Sequence, residues 1–330
     1  CFSSASSASS AVSVDLFLVR MWYQRTIFWS VLVHFAEREI SRQNRGPLGM
    51  IAYQCEYSAD WQLVLASLAV FVITSRAMTH PIPSSTRSEL APTARLRVGI
   101  NTGNFLLVSN YVPDTEPRGV APDLGRELGR RLGVPVEFVV FDAAGKLADA
   151  GKTGVWDVAF LGNEPQRASE IAFSAAYLEI PVTFLVPAES PIRTIANVDR
   201  EGVRVAVAEK SAYDLFLTRN FEHAQLVRAE GIEGSYQLFV KEKLEALAGL
   251  KPRLVTDAEK LPGSRVLEGQ CTSVKQSIGT PHGRDAGAKY LREFVEDVKA
   301  SGFVARLIVE YGVRGVSVAP AAPLEQGFTK

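Results

Sequence analysis

From residue 96 onward, short apolar runs alternate with stretches in which apolar residues recur every three or four positions. Short runs bounded by glycine, proline or polar residues are typical of buried strands in a parallel sheet. The helical spacing indicates helices with one buried face. We therefore predict an α/β fold. Its strands are expected at 96–100, 136–141, 155–161, 182–186, 203–208, 226–228, 244–250, 266–267 and 274–278, and its helices at 124–132, 143–150, 235–243, 285–300 and 304–311.

The first 77 residues differ in composition from the rest of the chain. All three methionines and three of the four tryptophans lie before residue 79. We predict that residues 1–77 form an atypical extension, spurious or fragmentary, that takes no part in binding a ligand. Cys1 and the serines after it suit a lipid-anchored tether, but the aromatic and charged residues at 12–36 do not. The proline- and serine-rich residues 78–94 are predicted to form a linker.

An uncharged run at Trp61–Ile73 bears on whether the protein is exported. Its length suits the apolar region of a signal peptide and is short for a membrane span. The nearest preceding charges, Glu56 and Asp60, have the wrong sign for such a signal. Export and retention in the cytoplasm both stay open at this point.

Composition excludes several classes of function. Acidic and basic residues balance at 36 each, so no overall field favours nucleic acid or an anionic membrane. The three cysteines, Cys1, Cys55 and Cys271, have no metal-type spacing. Motifs for nucleotide binding and for a nucleophilic serine are absent from the sequence. We predict no catalytic residues, no cofactor and no metal.

The stretch from 155 to 177 contains the first candidate for ligand binding. The predicted strand at 155–161 ends at Gly162 and Asn163, and Arg167 follows a few residues later. Ligands of open α/β sheets collect at the carboxyl ends of the strands, and a guanidinium grips a carboxylate with two parallel hydrogen bonds. The alternative is an exposed Arg167 paired with Glu164 or Glu170.

Two other strand ends carry candidate ligand-binding residues. Asn101, Asn104 and Phe105 follow the first predicted strand. After the strand at 203–208, Ser211 and Asp214 have the spacing of a capping box, so a helix is expected to begin at Ser211–Ala212. The free N–H groups of such a helix end can bind an anion, although an ordinary helix cap is the commoner arrangement.

The order of these motifs resembles that of the bacterial extracellular solute-binding proteins of the amino-acid type. The residues that carry the resemblance are Trp156–Asp157, then Arg167, then Ile171, Phe173, Ser174 and Tyr177. It extends over about residues 95–312. The family consists of type II periplasmic-binding-protein-like receptors, the substrate-binding components of ABC importers.

The resemblance implies a two-lobed fold in which the chain crosses twice between the lobes. We expect lobe 1 to comprise 95–186 and 275–315, lobe 2 to comprise 187–274, and 316–330 to form a tail. It also implies that Arg167 holds the α-carboxylate of the ligand and that the turn at Ser211–Ala212 contributes from the second lobe.

Two departures from the family pattern concern the rest of the ligand. Leu250 stands where amino-acid binders place an aspartate for the ammonium group, and Lys210 replaces the usual glycine before Ser211. We therefore expect a small carboxylate whose amino group, if present, is held by neutral acceptors such as Asn101 or Asn163. A polar amino acid is the alternative if an acidic residue faces the cleft, the candidates being Asp123, Glu179 and Glu245.

These observations favour a solute-binding protein over two alternatives. As such, it would be a monomer that is not an enzyme, located in the periplasm or outside the cell, with a small carboxylate as ligand and an importer permease as partner. The first alternative is a dehydratase-like enzyme on the same scaffold, in which a cleft carboxylate works as acid or base. The second is a ligand-sensing domain without a transporter.

Overall fold

The computed structural model describes residues 82–109 and 111–323. The described residues belong to one compact unit. The extension predicted at 1–77, with its uncharged run, lies outside the described residues. Among the residues that are described, none of the helices has the length and apolar character needed to cross a membrane.

The described chain contains both helices and strands, in mixed order. The helices are α1 (Ser84–Leu90), α2 (Val120–Leu132), α3 (Ala144–Asp149), α4 (Pro165–Ala168), α5 (Ala212–Asn220), α6 (Gly231–Lys241), α7 (Lys251–Glu259), α8 (Asp285–Ala300) and α9 (Phe303–Glu310). The strands are β1 (Leu96–Asn101), β2 (Val136–Phe141), β3 (Val158–Gly162), β4 (Ile171–Val186), β5 (Arg204–Ala208), β6 (Gln225–Ala229), β7 (Ala246–Leu250), β8 (Arg265–Val266), β9 (Thr272–Pro281) and β10 (Ser317–Val318).

The strands form a mixed sheet in the order β2–β1–β3–β9–β4–β7–β5–β6, with β8 and β10 also paired to β4. Strand β1 lies parallel to β2 and β3, and β5 lies parallel to β6 and β7. These two parallel groups are separated by the antiparallel pair β4 and β9. The α/β class and the parallel groups predicted from the apolar runs are confirmed.

Strands β4 and β9 connect the two parts of the sheet and create the two lobes. They pair from Ile171 with Pro281 to Val182 with Thr272. One end of β9 pairs with β3, and the far end of β4 pairs with β7. The chain therefore crosses between the lobes twice, along these two strands. The carboxyl ends of β1 and β3 face those of β5 and β7 across the space between the lobes.

The helices after β9 pack on elements of the first lobe. Helix α8 contacts β4, β9 and α1, and α9 contacts α2. In α2, Leu124, Leu128 and Leu132 are fully buried, and Gly133 ends the helix with a φ of 68°, in the left-handed region. The exact division into 95–186 with 275–315 and 187–274 stays a prediction.

Several elements differ from the sequence prediction. The run at 182–186 is only the last part of β4, which also includes the residues of the Phe173–Tyr177 motif. Helix α7 was not predicted, because it follows β7 without a loop and has the helix breaker Pro252 in its first turn, where proline is tolerated. The predicted tail contains β10, which pairs with Leu178 and Glu179 of β4.

The prediction of a linker at 78–94 is wrong for residues 84–90. They form α1, whose Leu90 is fully buried and lies against Gly287 at the start of α8. The Glu89 carboxylate also accepts a hydrogen bond of 2.8 Å from the Gly287 N–H. The prolines and serines suggested a linker, but they supply the entry and first turn of a packed helix instead.

Leu90→Ala is therefore expected to lower the free energy of unfolding by about 2–4 kcal/mol, the usual cost of emptying a leucine site in a core. Urea unfolding of the full chain followed by circular dichroism measures it. The control is Ser88→Ala, because the Ser88 hydroxyl bonds only to the Ser85 carbonyl on the exposed side of α1. Equal stability of the two variants would show that α1 is dispensable.

Candidate functional site

A cavity between the lobes brings most of the predicted ligand-binding residues together. We call it the cleft. Six of the eight predicted residues line it, and two, Phe105 and Asn163, do not. Those that line it are Asn101, Asn104, Gly162, Arg167, Ser211 and Ala212. They come from the carboxyl ends of β1, β3 and β5, where the fold places its ligand site.

Arg167 is the only buried cation among the described residues that line the cleft. Arg167 belongs to the short helix α4, and only 6% of the residue is exposed. Nη1 donates to the Gly162 carbonyl at 2.7 Å, and Nη2 donates to the Lys210 carbonyl at 2.8 Å. Burial lowers the pKa of Arg167 to about 10. The folded protein therefore holds this charge in a poorly solvated place.

The carboxylates that were the alternative partners of Arg167 are engaged elsewhere. Glu164 pairs with Arg219 at 2.7 Å, and Glu170 pairs with Lys152 at 2.7 Å. Among the described residues, none forms an ion pair with Arg167. Backbone carbonyls orient the guanidinium, and Glu164 and Asp149 offset its charge only from a distance, which is a suitable arrangement for binding an anion.

The start of α5 contributes a second electropositive part of the site, the free N–H groups of its first turn. The Ser211 hydroxyl accepts a hydrogen bond from the Asp214 N–H at 3.1 Å, as the predicted capping box requires. The Asp214 carboxylate accepts from the Lys210 N–H at 2.8 Å, one residue earlier than in a standard box. The first N–H groups of α5 have no acceptor within the helix and lie beside the cleft.

Lys210 takes the backbone conformation that the usual glycine would take at this turn. Its φ is 54°, in the left-handed region that favours glycine. Its ammonium group pairs with Asp149 of α3 at 2.6 Å. The replacement of glycine by Lys210 therefore keeps the turn, and it adds an ion pair between the lobes.

Gly162 lets the two lobes approach each other closely. A Cβ atom there would lie 2.9 Å from both the Ala212 Cβ and the Val274 Cγ1 atoms. Because real Cβ atoms do not come this close to other carbons, any other residue would push α5 away from β3. The sequence pattern identified Gly162 as the end of a strand and as a candidate for ligand binding, but not as the point where the lobes approach each other.

The side-chain oxygens of the two asparagines at the end of β1 each accept one hydrogen bond from a nearby backbone N–H group. Asn101 Oδ1 accepts from the Gly103 N–H at 3.0 Å, and Asn104 Oδ1 accepts from the Leu106 N–H at 3.3 Å. Because backbone N–H groups can only donate, these contacts determine which side-chain atom is the oxygen. The amide nitrogens remain as donors for a ligand.

The two predicted residues that lie outside the cleft have other contacts. The Phe105 ring is 40% exposed and lies 5.9 Å from the guanidinium carbon of Arg253, a cation–π arrangement. The backbone N–H of Asn163 donates to the Lys275 carbonyl at 2.8 Å, which continues the pairing of β3 with β9. An aromatic residue after β1 and a polar residue after β3 suggested ligand contacts, but position along the chain could not show which way they turn.

Tyr213 and Gln276 line the cleft and were not predicted. They are 3% and 6% exposed, and the Tyr213 hydroxyl lies beside that of Ser211 while its own proton has no acceptor in the described part of the chain. Burial raises the pKa of the Tyr213 phenol. Gln276 shares one face of the predicted strand with Val274 and Ile278, and a polar residue on that face was a usable signal for the second of them.

The acidic residues proposed as partners of a ligand ammonium do not line the cleft. Asp123 pairs with Arg126 at 2.6 Å and accepts from the Tyr311 hydroxyl. Glu245 pairs with Arg204 at 2.9 Å, and this hydrogen bond lowers the pKa of Glu245. Glu179 lies opposite Lys275 on β9. Leu250 does line the cleft, and it is buried.

Metal binding has no support in the described residues. Within 82–109 and 111–323, no three His, Cys, Asp or Glu side chains are grouped so that they could hold a metal ion.

One family model matches most of the described residues. It describes bacterial extracellular solute-binding proteins, family 3, and it matches residues 96–314. The match begins at β1, so it excludes α1, and it ends after α9. It covers all of the cleft residues.

Solved structures show the same fold at low sequence identity. A solute receptor for L-cysteine of Neisseria gonorrhoeae is 16% identical, with 69% of this chain and 94% of that chain covered and a TM-score of 0.60. A mutant of ArgBP from T. maritima is 19% identical, with coverages of 69% and 99% and a TM-score of 0.58. An ancestral amino acid-binding protein, a precursor of cyclohexadienyl dehydratase, is 21% identical, with coverages of 69% and 99% and a TM-score of 0.58. The likeness shows the fold: the chain has the two-lobed, type II periplasmic-binding-protein-like architecture.

Proposed function

Because the chain belongs to the bacterial extracellular solute-binding proteins, family 3, we propose that it binds a small carboxylate-bearing solute in the cleft for uptake by an ABC importer. The solute is an amino acid or a related organic acid. The observation that carries this proposal is Arg167, a buried guanidinium that two backbone carbonyls orient and that forms no direct ion pair with a described carboxylate.

A bound carboxylate offsets the unfavourable free energy of burying the Arg167 charge without a direct counter-ion. The lowered pKa of this group reflects the loss of hydration on burial. An anion in the cleft restores a charge partner, and charge-assisted hydrogen bonds in a dry site are among the strongest that proteins make. The N–H groups of α5, on the second lobe, bind the other side of the same anion. Ligand binding therefore favours closure of the lobes.

Side chains at the mouth of the cleft also favour the closed state. Lys210 pairs with Asp149, and Arg219 pairs with Glu164, in each case between the lobes. Both pairs are at least partly exposed, and exposed pairs contribute little. They therefore allow the cleft to reopen, as release to an importer requires. The ligand contacts supply most of the energy of closure.

The dehydratase-like alternative has less support. An acid or base catalyst in this cleft needs a carboxylate that burial keeps near the working pH. The described carboxylates that line the cleft are Asp142 and Glu209, and both are exposed. We therefore favour binding without catalysis.

A sensor without a transporter would use the same site. The presence of permease and ATPase genes beside this gene decides between an importer receptor and such a sensor.

The location and assembly follow from the proposed role. An importer receptor works outside the cytoplasm, in the periplasm or on the cell surface, and we propose that location. Its partner is the permease of the importer. We propose that the protein is a monomer, since one chain contains both lobes and a complete cleft.

A thermal-shift screen against amino acids, dicarboxylates and oxo acids tests the proposed function. A ligand at 100 times its dissociation constant stabilises the folded state by about 2.7 kcal/mol. We expect at least one small carboxylate to raise the melting temperature, and amines of the same size without a carboxylate to leave it unchanged. A protein stabilised by uncharged solutes alone would contradict the proposal.

A further inference from the structure

The polar groups of the cleft are mainly hydrogen-bond donors. Arg167 has donors only, and the first N–H groups of α5 are donors. The amide nitrogens of Asn101 and Asn104 are donors, and each amide oxygen already accepts one hydrogen bond from a backbone N–H group. The Gly162 carbonyl, which would otherwise face a ligand as an acceptor, accepts from Arg167.

The cleft contains few groups that can neutralise an ammonium. Asp142 and Glu209 line it, but Asp142 is exposed and pairs with Lys146 at 3.0 Å. Glu209 is exposed and lies next to Lys210. Water screens both carboxylates, whereas a buried ammonium needs a buried counter-charge. Among the described residues that line the cleft, none is a buried carboxylate.

Tyr213 and Gln276 are the neutral side chains that remain available. Both are buried in the cleft wall, and the Tyr213 phenol lies beside the Ser211 hydroxyl, which can donate to its oxygen. The proton of the Tyr213 hydroxyl has no acceptor among the described residues. An unpaired buried hydroxyl has a large desolvation cost. In a cleft that already contains donors on several sides, the group that satisfies this hydroxyl is an acceptor on the ligand.

We propose that the cleft selects small acids whose second polar group is a hydrogen-bond acceptor, as in 2-oxo acids and dicarboxylates, over the corresponding amino acids, and that Tyr213 donates to that group. This inference rests on the proposed function, since it takes Arg167 as the site of the first carboxylate. The second group then lies among donors, where a carbonyl or carboxylate oxygen is matched and an ammonium is not.

Pairs of ligands that differ only at the second carbon test the selectivity. Pyruvate is compared with alanine, and 2-oxoglutarate with glutamate, by titration calorimetry of the full chain. We expect the oxo acid of at least one pair to bind at least tenfold more tightly than its amino acid. Tighter binding of both amino acids would overturn the inference and leave the proposed function intact. If no carboxylate binds, both fail.

Tyr213→Phe tests the named residue, because it removes the hydroxyl and keeps the ring. We expect the affinity for the preferred oxo acid to fall about fivefold or more, as for one lost hydrogen bond in a buried site. Affinity for the matched amino acid is expected to change less than twofold. An equal loss for both ligands would overturn the role of Tyr213 in selection.

Tyr177→Phe is the matched control. The Tyr177 hydroxyl is also buried and without a partner in the described residues, but it lies in the core and not in the cleft wall. Its loss is expected to leave both affinities unchanged. A fivefold loss in this variant as well would show that removing any buried hydroxyl weakens binding, and it would overturn the assignment to Tyr213.

Discussion

Arg167→Ala is expected to lower the affinity for any small carboxylate ligand about a hundredfold or more while the protein remains folded. Truncating one partner of a buried, hydrogen-bonded charge pair costs about 2–5 kcal/mol, and each 1.4 kcal/mol is a factor of ten. In the free protein the same change removes a cation that burial disfavours, as its lowered pKa shows. Titration calorimetry gives the affinity, and urea unfolding without ligand gives the stability.

Two further variants test whether Arg167 binds the ligand directly or only stabilises the structure. Arg167→Lys keeps the charge but loses the planar fork, so we expect it to bind more weakly than the wild type and more tightly than Arg167→Ala. Arg130→Ala removes an exposed arginine that pairs with Glu127, and it should leave the affinity unchanged. If Arg167→Ala binds as the wild type does, the site assignment and the carboxylate are both wrong.

Much of the fold could be predicted because its signals are local. The five-residue strand β5 and the helix α8 at 285–300 follow from short apolar runs and from a helical spacing that neighbouring residues determine. Helix α1 was missed because its burial depends on α8, which lies about two hundred residues later. A pattern of prolines and serines does not show that Leu90 has a distant partner.

The candidate site could be predicted only in part, for a related reason. The strand ends indicated Arg167 and the asparagines, but the hydrogen bonds of Asn101 and Asn104 depend on how each loop turns. The sequence favoured Asn101 as an acceptor for an amino group, but its oxygen already accepts from the Gly103 N–H, and its amide nitrogen has no such partner. The charge state of the cleft also depends on which carboxylates turn outward, and only coordinates show this.

Asp157 shows how a motif residue can serve the scaffold rather than the ligand. It belongs to the Trp–Asp motif that begins the family resemblance, yet it lies at the start of β3, at the opposite end from the cleft. The carboxylate is fully buried. It accepts from the Arg97 guanidinium at 2.7 and 3.0 Å, from the Arg97 backbone N–H at 3.1 Å, and from Arg284 at 3.0 Å. These contacts join β1 and β3 to the segment after β9.

Asp157→Asn is therefore expected to lower the free energy of unfolding by about 3 kcal/mol, because it removes the fully buried anion that pairs with the partly buried Arg97 and Arg284. The amide keeps the shape of the carboxylate, so the loss reports the charge rather than a cavity. Urea unfolding of the full chain measures it. The control is Glu116→Gln, whose carboxylate is 85% exposed beside Arg126 and should matter by less than about 0.5 kcal/mol.

Asp157→Asn also tests whether Asp157 affects only the stability of the fold or the affinity for the ligand as well. If Asp157 only connects strands at the far end of the first lobe, the folded Asp157→Asn protein should bind carboxylates with the affinity of the wild type, measured well below its melting temperature. Loss of stability with unchanged affinity is the reverse of the result expected for Arg167→Ala. A variant as stable as the wild type would mean that Arg97 and Arg284 find water or other acceptors, and that the buried ion pairs contribute little to the fold.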